Sequence, residues 1–175
     1  MNDGKQFEQD FRNSIPKDVY CYRLADHAEG FLPRERGRLK FTVQNPCDFF
    51  LYNPNNKTMF ALELKTTKHT SITFWREDFE IEDKERKYMV RKNQILGLEK
   101  ISKYNIISGF LINFRTTKHT YFWDIEDYLE FTNNTKKKSF NEADVVLNGG
   151  FKIEQKLLRK NYRYDLSEFL RFCYV

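Results

Sequence analysis

The sequence predicts one α/β domain, a mixed central β-sheet flanked by helices. Three observations predict it. Short apolar and aromatic runs bounded by turn formers recur along the chain, as strands require. Segments with apolar residues three and four apart stand between them, as amphipathic helices require. No linker divides the 175 residues, so 1–175 is read as a single domain, and 40% hydrophobic with 17% aromatic content is enough for a buried core.

The elements follow in order. Phe7 and Phe11, four apart, put two rings on one face of a helix over residues 4–14 that ends before Pro16. Residues 19–24 are aromatic and partly β-branched, hence a strand. Residues 25–44 hold Gly30, Pro33 and Gly37, with Arg34, Arg36, Arg38 and Lys40 at alternating positions. They read as a basic loop or short stalk-like hairpin (25–45), one face of which either lies on phosphates or is simply solvated. The runs 48–52 and 58–65 flank the turn-rich NPNNK and make a hairpin. The doubly charged stretch 76–92 reads as an exposed helix or loop.

Ile95, Leu98 and Ile101 fall on one side of a helix over 93–104, and 106–114 is apolar enough for a strand buried on both faces. A further strand is expected at 120–123. Asp124 can cap a short helix through Leu129, and Ser139 with Glu142 has capping-box spacing before 145–147. A strand near 151–157 and a last helix from Asp165, with Leu166, Phe169 and Leu170 on one face, complete the reading. The pentapeptide TTKHT occurs at 66–70 and 116–120, but no period emerges and the repetition reads as coincidence.

A net charge of +5 tilts the partner towards a polyanion, because clustered Lys and Arg gain free energy by releasing counterions from phosphates. Cys21, Cys47 and Cys173 are odd in number and lack CxxC spacing, which fits a reducing cytosol. With no signal-peptide layout and no bilayer-length apolar run, a soluble cytoplasmic protein is expected, with no membrane partner. His27, His69 and His119 lack zinc-site spacing, there is no Gly-rich phosphate loop, and Cys47 is read as a packing residue.

Chemistry concentrates in the predicted hairpin. Alternation along 58–65 puts Ala61, Glu63 and Lys65 on one face and Phe60, Leu62 and Leu64 on the other, which goes to the core. A carboxylate and an ammonium then sit side by side among apolar neighbours, where charge is costly unless paired or bound to metal. The hairpin can bring Asp48 beside Glu63, giving two hard oxygen ligands for one divalent cation. Phosphodiester hydrolysis needs such a cation to activate water, and a nearby ammonium such as Lys65 to orient it or to stabilise developing charge. An isolated Glu-x-Lys triplet is more often a structural ion pair, so its setting matters: Pro46-Cys47-Asp48, a hairpin return, then Glu63-Leu64-Lys65.

That setting, NPCDFFLY followed by MFALELKTTK, resembles the PD-(D/E)xK nuclease superfamily and, more narrowly, the RecU Holliday junction resolvases of Gram-positive bacteria and their phages. The likeness extends weakly over nearly the whole chain, through TSITF at 70–74, Asn93 to Leu96, Gly109 to Phe114 and Asn161 to Leu166. It implies a restriction-endonuclease-like core, Asp48 and Glu63 as metal ligands, Lys65 as a catalytic residue and Gln94 approaching the site. Glu8 on the first helix would complete the set, with Mg²⁺ as cofactor and Mn²⁺ substituting.

Lys68 stands where the family has a second Lys and, with Arg34, Arg36 and Arg38, is expected to contact DNA phosphates. Four-way junction DNA and a homodimer are the implied partners. The chain departs from the family in a shorter basic segment before Pro46 and an apparent insertion over 75–91. A restriction- or repair-type nuclease on duplex DNA, or a non-catalytic DNA-binding module, are the alternatives. Richness in Lys, Asn, Phe and Ile points to an AT-rich genome such as a phage's.

Overall fold

The N-terminal helix, α1 (Asp3–Ser14), starts where the Asn2 side chain accepts the Gly4 N–H at 3.1 Å, and it stops ahead of Pro16. In the computed structural model, which describes residues 2–24, 45–77 and 88–171, there follow β1 (Tyr20–Arg23), β2 (Phe49–Asn53), β3 (Thr58–Thr67) and β4 (Ser71–Thr73). Next come α2 (Lys92–Ser102), β5 (Ile107–Phe114), β6 (His119–Asp124), α3 (Ile125–Asn134), β7 (Ser139–Asn141) and α4 (Glu142–Leu147). The chain finishes with β8 (Phe151–Ile153), β9 (Gln155–Leu158), β10 (Asn161–Tyr164) and a 3-10 turn, Phe169–Arg171. The expected basic segment with Arg34, Arg36 and Arg38 lies outside the described residues.

Among the described residues the main sheet has six strands in the order β1-β2-β3-β5-β6-β8. β3 pairs antiparallel with β2 and parallel with β5, so the sheet is mixed, as the sequence predicts. Two small antiparallel pairs, β9-β10 and β4-β7, flank it.

Both faces of the sheet are covered. On one, Phe60, Leu62 and Leu64 of β3 pack with Phe7 and Phe11 of α1, Tyr164, Leu166, Phe169 and Leu170. On the other, Ala61 packs with Ile95 and Leu98 of α2, and an aromatic group of Phe74, Phe110, Trp123, Tyr128, Phe131 and Phe140 fills the space under α3 and β7. The face carrying Glu63 and Lys65 is therefore roofed by a helix, where alternation alone assigned burial only to the opposite face. Helix α1 is further fixed to β10: the Asp10 carboxylate accepts Tyr162 N–H at 2.9 Å and the Ser14 hydroxyl accepts Tyr164 N–H at 3.0 Å.

Several local expectations are corrected. The capping box of α4 is Asn141 with Asp144, because Ser139 is committed to pairing with Thr73 across β4 and β7. The helix capped by Asp124 runs on to Asn134, carried past Leu129 by the buried Phe131 and Thr132. The strand near 151–157 divides at Glu154 into β8, in the main sheet, and β9, outside it. Asp165 does not start a helix: its carboxylate accepts both the N–H and the hydroxyl of Ser167, and among the described residues this local turn is followed by the 3-10 turn Phe169–Arg171. Leu166, Phe169 and Leu170 are nonetheless buried together. Of the charged stretch 76–92, residues 78–87 lie outside the described residues; after them Val90 is fully buried and bridges to Phe74. The two TTKHT copies are neighbours in space, since parallel pairing sets Thr67 opposite Phe114 and brings both strand ends level.

Candidate active site

The site is assembled at the mouth of the β2-β3 hairpin. Asp48 immediately precedes β2 and continues its ladder in an unusual way. Its backbone N–H donates to Leu62 O at 3.0 Å, and its side-chain Oδ2 accepts Leu64 N–H at 2.7 Å. Asp48 thus brackets Glu63 from both sides along the strand. On the outer edge, Leu24 N–H donates to Asp48 O at 2.9 Å, tying the end of β1 to the same point.

Glu63 is only 4% exposed. Its Oε1 accepts Lys65 Nζ at 2.9 Å and also accepts the side-chain amide of Gln94 from α2. The Gln94 amide is oriented from its other end, where Oε1 accepts Arg91 N–H at 3.0 Å at the start of the helix. Spacing alone puts Gln94 on α2, and the structure brings it to Glu63.

Electrostatics single out the same group. Burial pushes the Glu63 carboxyl above its ordinary value against the opposing pull of Lys65 and Arg91. Burial first, then the charge of Glu63, pushes Asp48 up to about 7, with the Leu64 N–H and Lys65 opposing. Two carboxyls in one poorly solvated place are the environment in which a cation is most strongly favoured. Cys47, fully buried, has its thiol pushed up to about 12 by burial and by Glu63 and Asp48, so it is a packing residue here.

Glu8 lies near enough for its charge to act on both Asp48 and Glu63. Its carboxylate is held by Arg23 of β1, whose Nε and Nη2 donate to Oε2 at 2.9 and 2.7 Å. Among the described residues, no three His, Cys, Asp or Glu side chains are gathered into a group able to hold a metal ion. The carboxylates that could hold a divalent cation are Asp48 and Glu63, with Glu8 near enough for its charge to act on both. Mg²⁺ is commonly bound in that way, through one or two carboxylates with water and substrate phosphate filling the remaining positions. The residues present fit such an ion.

Lys68, at the end of β3, is 66% exposed and pairs with Asp3 at 2.8 Å. Lys65 and Lys68 both line a shallow groove that Asp3, Thr66, His69 and Met89 also bound.

Some residues that shape the site were not singled out in the sequence. Gly97 is one: a β-carbon built there would lie 2.9 Å from Pro46 Cα, so α2 comes down on the Pro46 backbone only because this position is bare. An isolated Gly inside a helical pattern was the available signal. Arg23 carried a weaker one, as a charge on a short strand followed by a loop. Arg91 carried none.

The fold has a counterpart among solved structures. Hjc, a Holliday junction resolvase from the archaeal hyperthermophile Archaeoglobus fulgidus, matches with a TM-score of 0.51 over 85% of this chain and 95% of that chain, at 14% sequence identity. This chain has the Hjc fold. No protein-family model matches the chain, and no curated protein matches its sequence. The Hjc-like architecture is the α/β, restriction-endonuclease-like core with a mixed sheet between helices that the motif implied. No helix among the described residues is long and apolar enough to cross a membrane.

Proposed function

We propose that this chain is a metal-dependent DNA endonuclease, RecU-like in kind, that hydrolyses phosphodiesters at branched DNA and resolves four-way junctions by paired symmetric incisions. The observation that carries the reading is the convergence of Asp48, Lys65 and Gln94 on the buried Glu63. A purely structural ion pair has no need of a second carboxylate, nor of a buried amide oriented at both ends. The shared fold with a Holliday junction resolvase supports the reading.

Asp48 and Glu63 would hold Mg²⁺, with Mn²⁺ substituting. When bound, the ion supplies Lewis-acid polarisation of the phosphodiester and a more acidic water. Lys65 offers a positive charge that orients the attacking water or stabilises the negative charge developing on phosphoryl oxygen. Gln94 keeps the Glu63 carboxylate in one rotamer and supplies a hydrogen bond that favours its ionised form. Glu8, paired with Arg23, adds negative charge beside the two carboxylates. Lys68, Arg34, Arg36 and Arg38 would contact backbone phosphates, which position DNA without reading sequence. Two symmetric incisions call for two sites related by a two-fold axis, hence a homodimer. Such an enzyme works where DNA is, in the cytoplasm of a bacterial cell or of a phage's host.

The test is cleavage of a labelled four-way junction and a matched linear duplex with Mg²⁺, comparing wild type with Lys65→Ala and Asp48→Ala. Symmetric junction cuts by wild type, with both variants binding but not cutting, are expected. Equal cutting of linear duplex would replace the resolvase reading with a restriction- or repair-type nuclease. Binding without cutting in any divalent metal would make the chain a DNA-binding module.

A further inference from the structure

Where β3 and β5 end side by side, the chain gathers cations that the incision chemistry leaves unused. Arg115 N–H donates to Thr67 O at 2.9 Å, and the Thr116 hydroxyl donates to Lys68 O at 2.9 Å, so Lys68 and Arg115 stand on two strand ends locked to each other. Both side chains reach the same carboxylate. Asp3 Oδ1 meets Arg115 Nη1 at 2.5 Å, and Asp3 Oδ2 meets Lys68 Nζ at 2.8 Å.

We propose that Lys68 and Arg115 form a two-pronged clamp for a backbone phosphate of DNA running past the candidate site, and that Asp3 is an internal competitor which this phosphate displaces. The identity of the anion rests on the nuclease reading above, while the clamp itself rests on the geometry at the strand ends.

Four features support it. A carboxylate whose two oxygens each meet a different cation has the form of a phosphodiester, whose two non-bridging oxygens can be held in the same way. Lys68 is three residues beyond Lys65, just past the end of β3, and lines the same groove, so a DNA strand gripped there is led to the candidate site. The three side chains are all substantially solvent-exposed, with Lys68 at 66%, Asp3 at 38% and Arg115 at 34%. Ion pairs so exposed contribute little to stability, and a polyanion that releases counterions can break them.

Finally, α1 does not need Asp3 to stay in place. It is held by Phe7 and Phe11 in the core and by Asp10 and Ser14 on the backbone of β10. A helix docked so firmly leaves the exposed bridge at its first turn free to exchange partners.

The experiment measures affinity for a fluorescent four-way junction across a salt series in Ca²⁺ without Mg²⁺, using the full chain, with thermal melts to establish that each variant is folded. Lys68→Ala and Arg115→Ala should each weaken binding and reduce the log–log salt slope by about one. Asp3→Asn should bind severalfold more tightly than wild type at low salt. Asp3→Asn binding no more tightly, or unchanged salt slopes in both cation variants, overturns the clamp. Lys68 is exposed enough that its replacement tests the idea even if another variant does not fold. Wild-type cleavage in Mg²⁺ is scored separately: clamp behaviour without cutting would remove the nuclease reading alone, and cutting without clamp behaviour would remove the clamp alone.

Discussion

Gly97 of α2 rests on the backbone of Pro46, so closely that a β-carbon at Gly97 would come within 2.9 Å of Pro46 Cα and 3.0 Å of its carbonyl oxygen. One turn earlier on the same helix, Gln94 reaches Glu63. The contact therefore sets the height of the helix above the strand. Gly97→Ala gains up to about 1 kcal/mol in helix propensity, but it meets the Pro46 backbone and the ring carbon Cβ, none of which can rotate away. Overpacking of this kind costs about 1–3 kcal/mol. A net loss in urea unfolding is expected, together with reduced junction cleavage because Gln94 is lifted from Glu63. A stabilised and fully active variant would show that α2 settles elsewhere without consequence.

Gln94→Ala removes one of two donors to Glu63 and leaves Lys65 in place. Groups that orient a metal-binding side chain without touching the metal typically matter by about 10- to 100-fold in metal affinity or activity. The expected signature is a rise of that order in the Mg²⁺ concentration needed for half-maximal cleavage, with junction affinity in Ca²⁺ unchanged. A variant that lost rate equally at all Mg²⁺ concentrations would point away from a positioning role.

Asp48 links stability to pH. Its carboxyl ordinarily ionises near 3.8 and is pushed up to about 7, first by burial and next by the charge of Glu63. The folded chain therefore binds this proton more tightly than the unfolded chain does. The resulting stabilisation is complete below about pH 4 and is lost as pH rises through about 7, with roughly 4 kcal/mol between the two ends. Burial raises Glu63 in the same direction. In EDTA, then, these two groups make the melting temperature fall as pH rises through that window. Because a cation binds the ionised carboxylates, Mg²⁺ should raise the melting temperature more near pH 8 than near pH 6. Equal stabilisation by Mg²⁺ at both would separate Asp48 from metal binding.

Much of this arrangement was legible in the sequence, for identifiable reasons. The hairpin around Asp48 and Glu63 is a local structure, written in alternation and a five-residue turn. Gln94 was legible through its motif, and α1 through two Phe residues four apart. What the sequence hid depends on long-range pairing. The roof of α2 over Glu63 and the closeness of the two TTKHT copies both require β3 to run parallel to β5, and no local pattern encodes a parallel partner. The last helix failed because the Asp165 side chain competes for backbone N–H groups that a helix would use. The α4 cap moved by two residues because β-pairing claimed Ser139.

The chain separation of the parallel pair also governs the order in which the site comes into being. Lys65 meets Glu63 within a single strand, and Asp48 joins them as soon as the hairpin closes. Gln94 arrives only after the whole β3-α2-β5 excursion has closed on itself, a non-local event that is entropically costly and slow compared with hairpin closure. Until then Glu63 lacks the cover of α2 and the hydrogen bond of its amide. A chain still emerging from the ribosome, or one partly melted, thus carries the residues of the site without the dry, oriented carboxylate that makes them a centre.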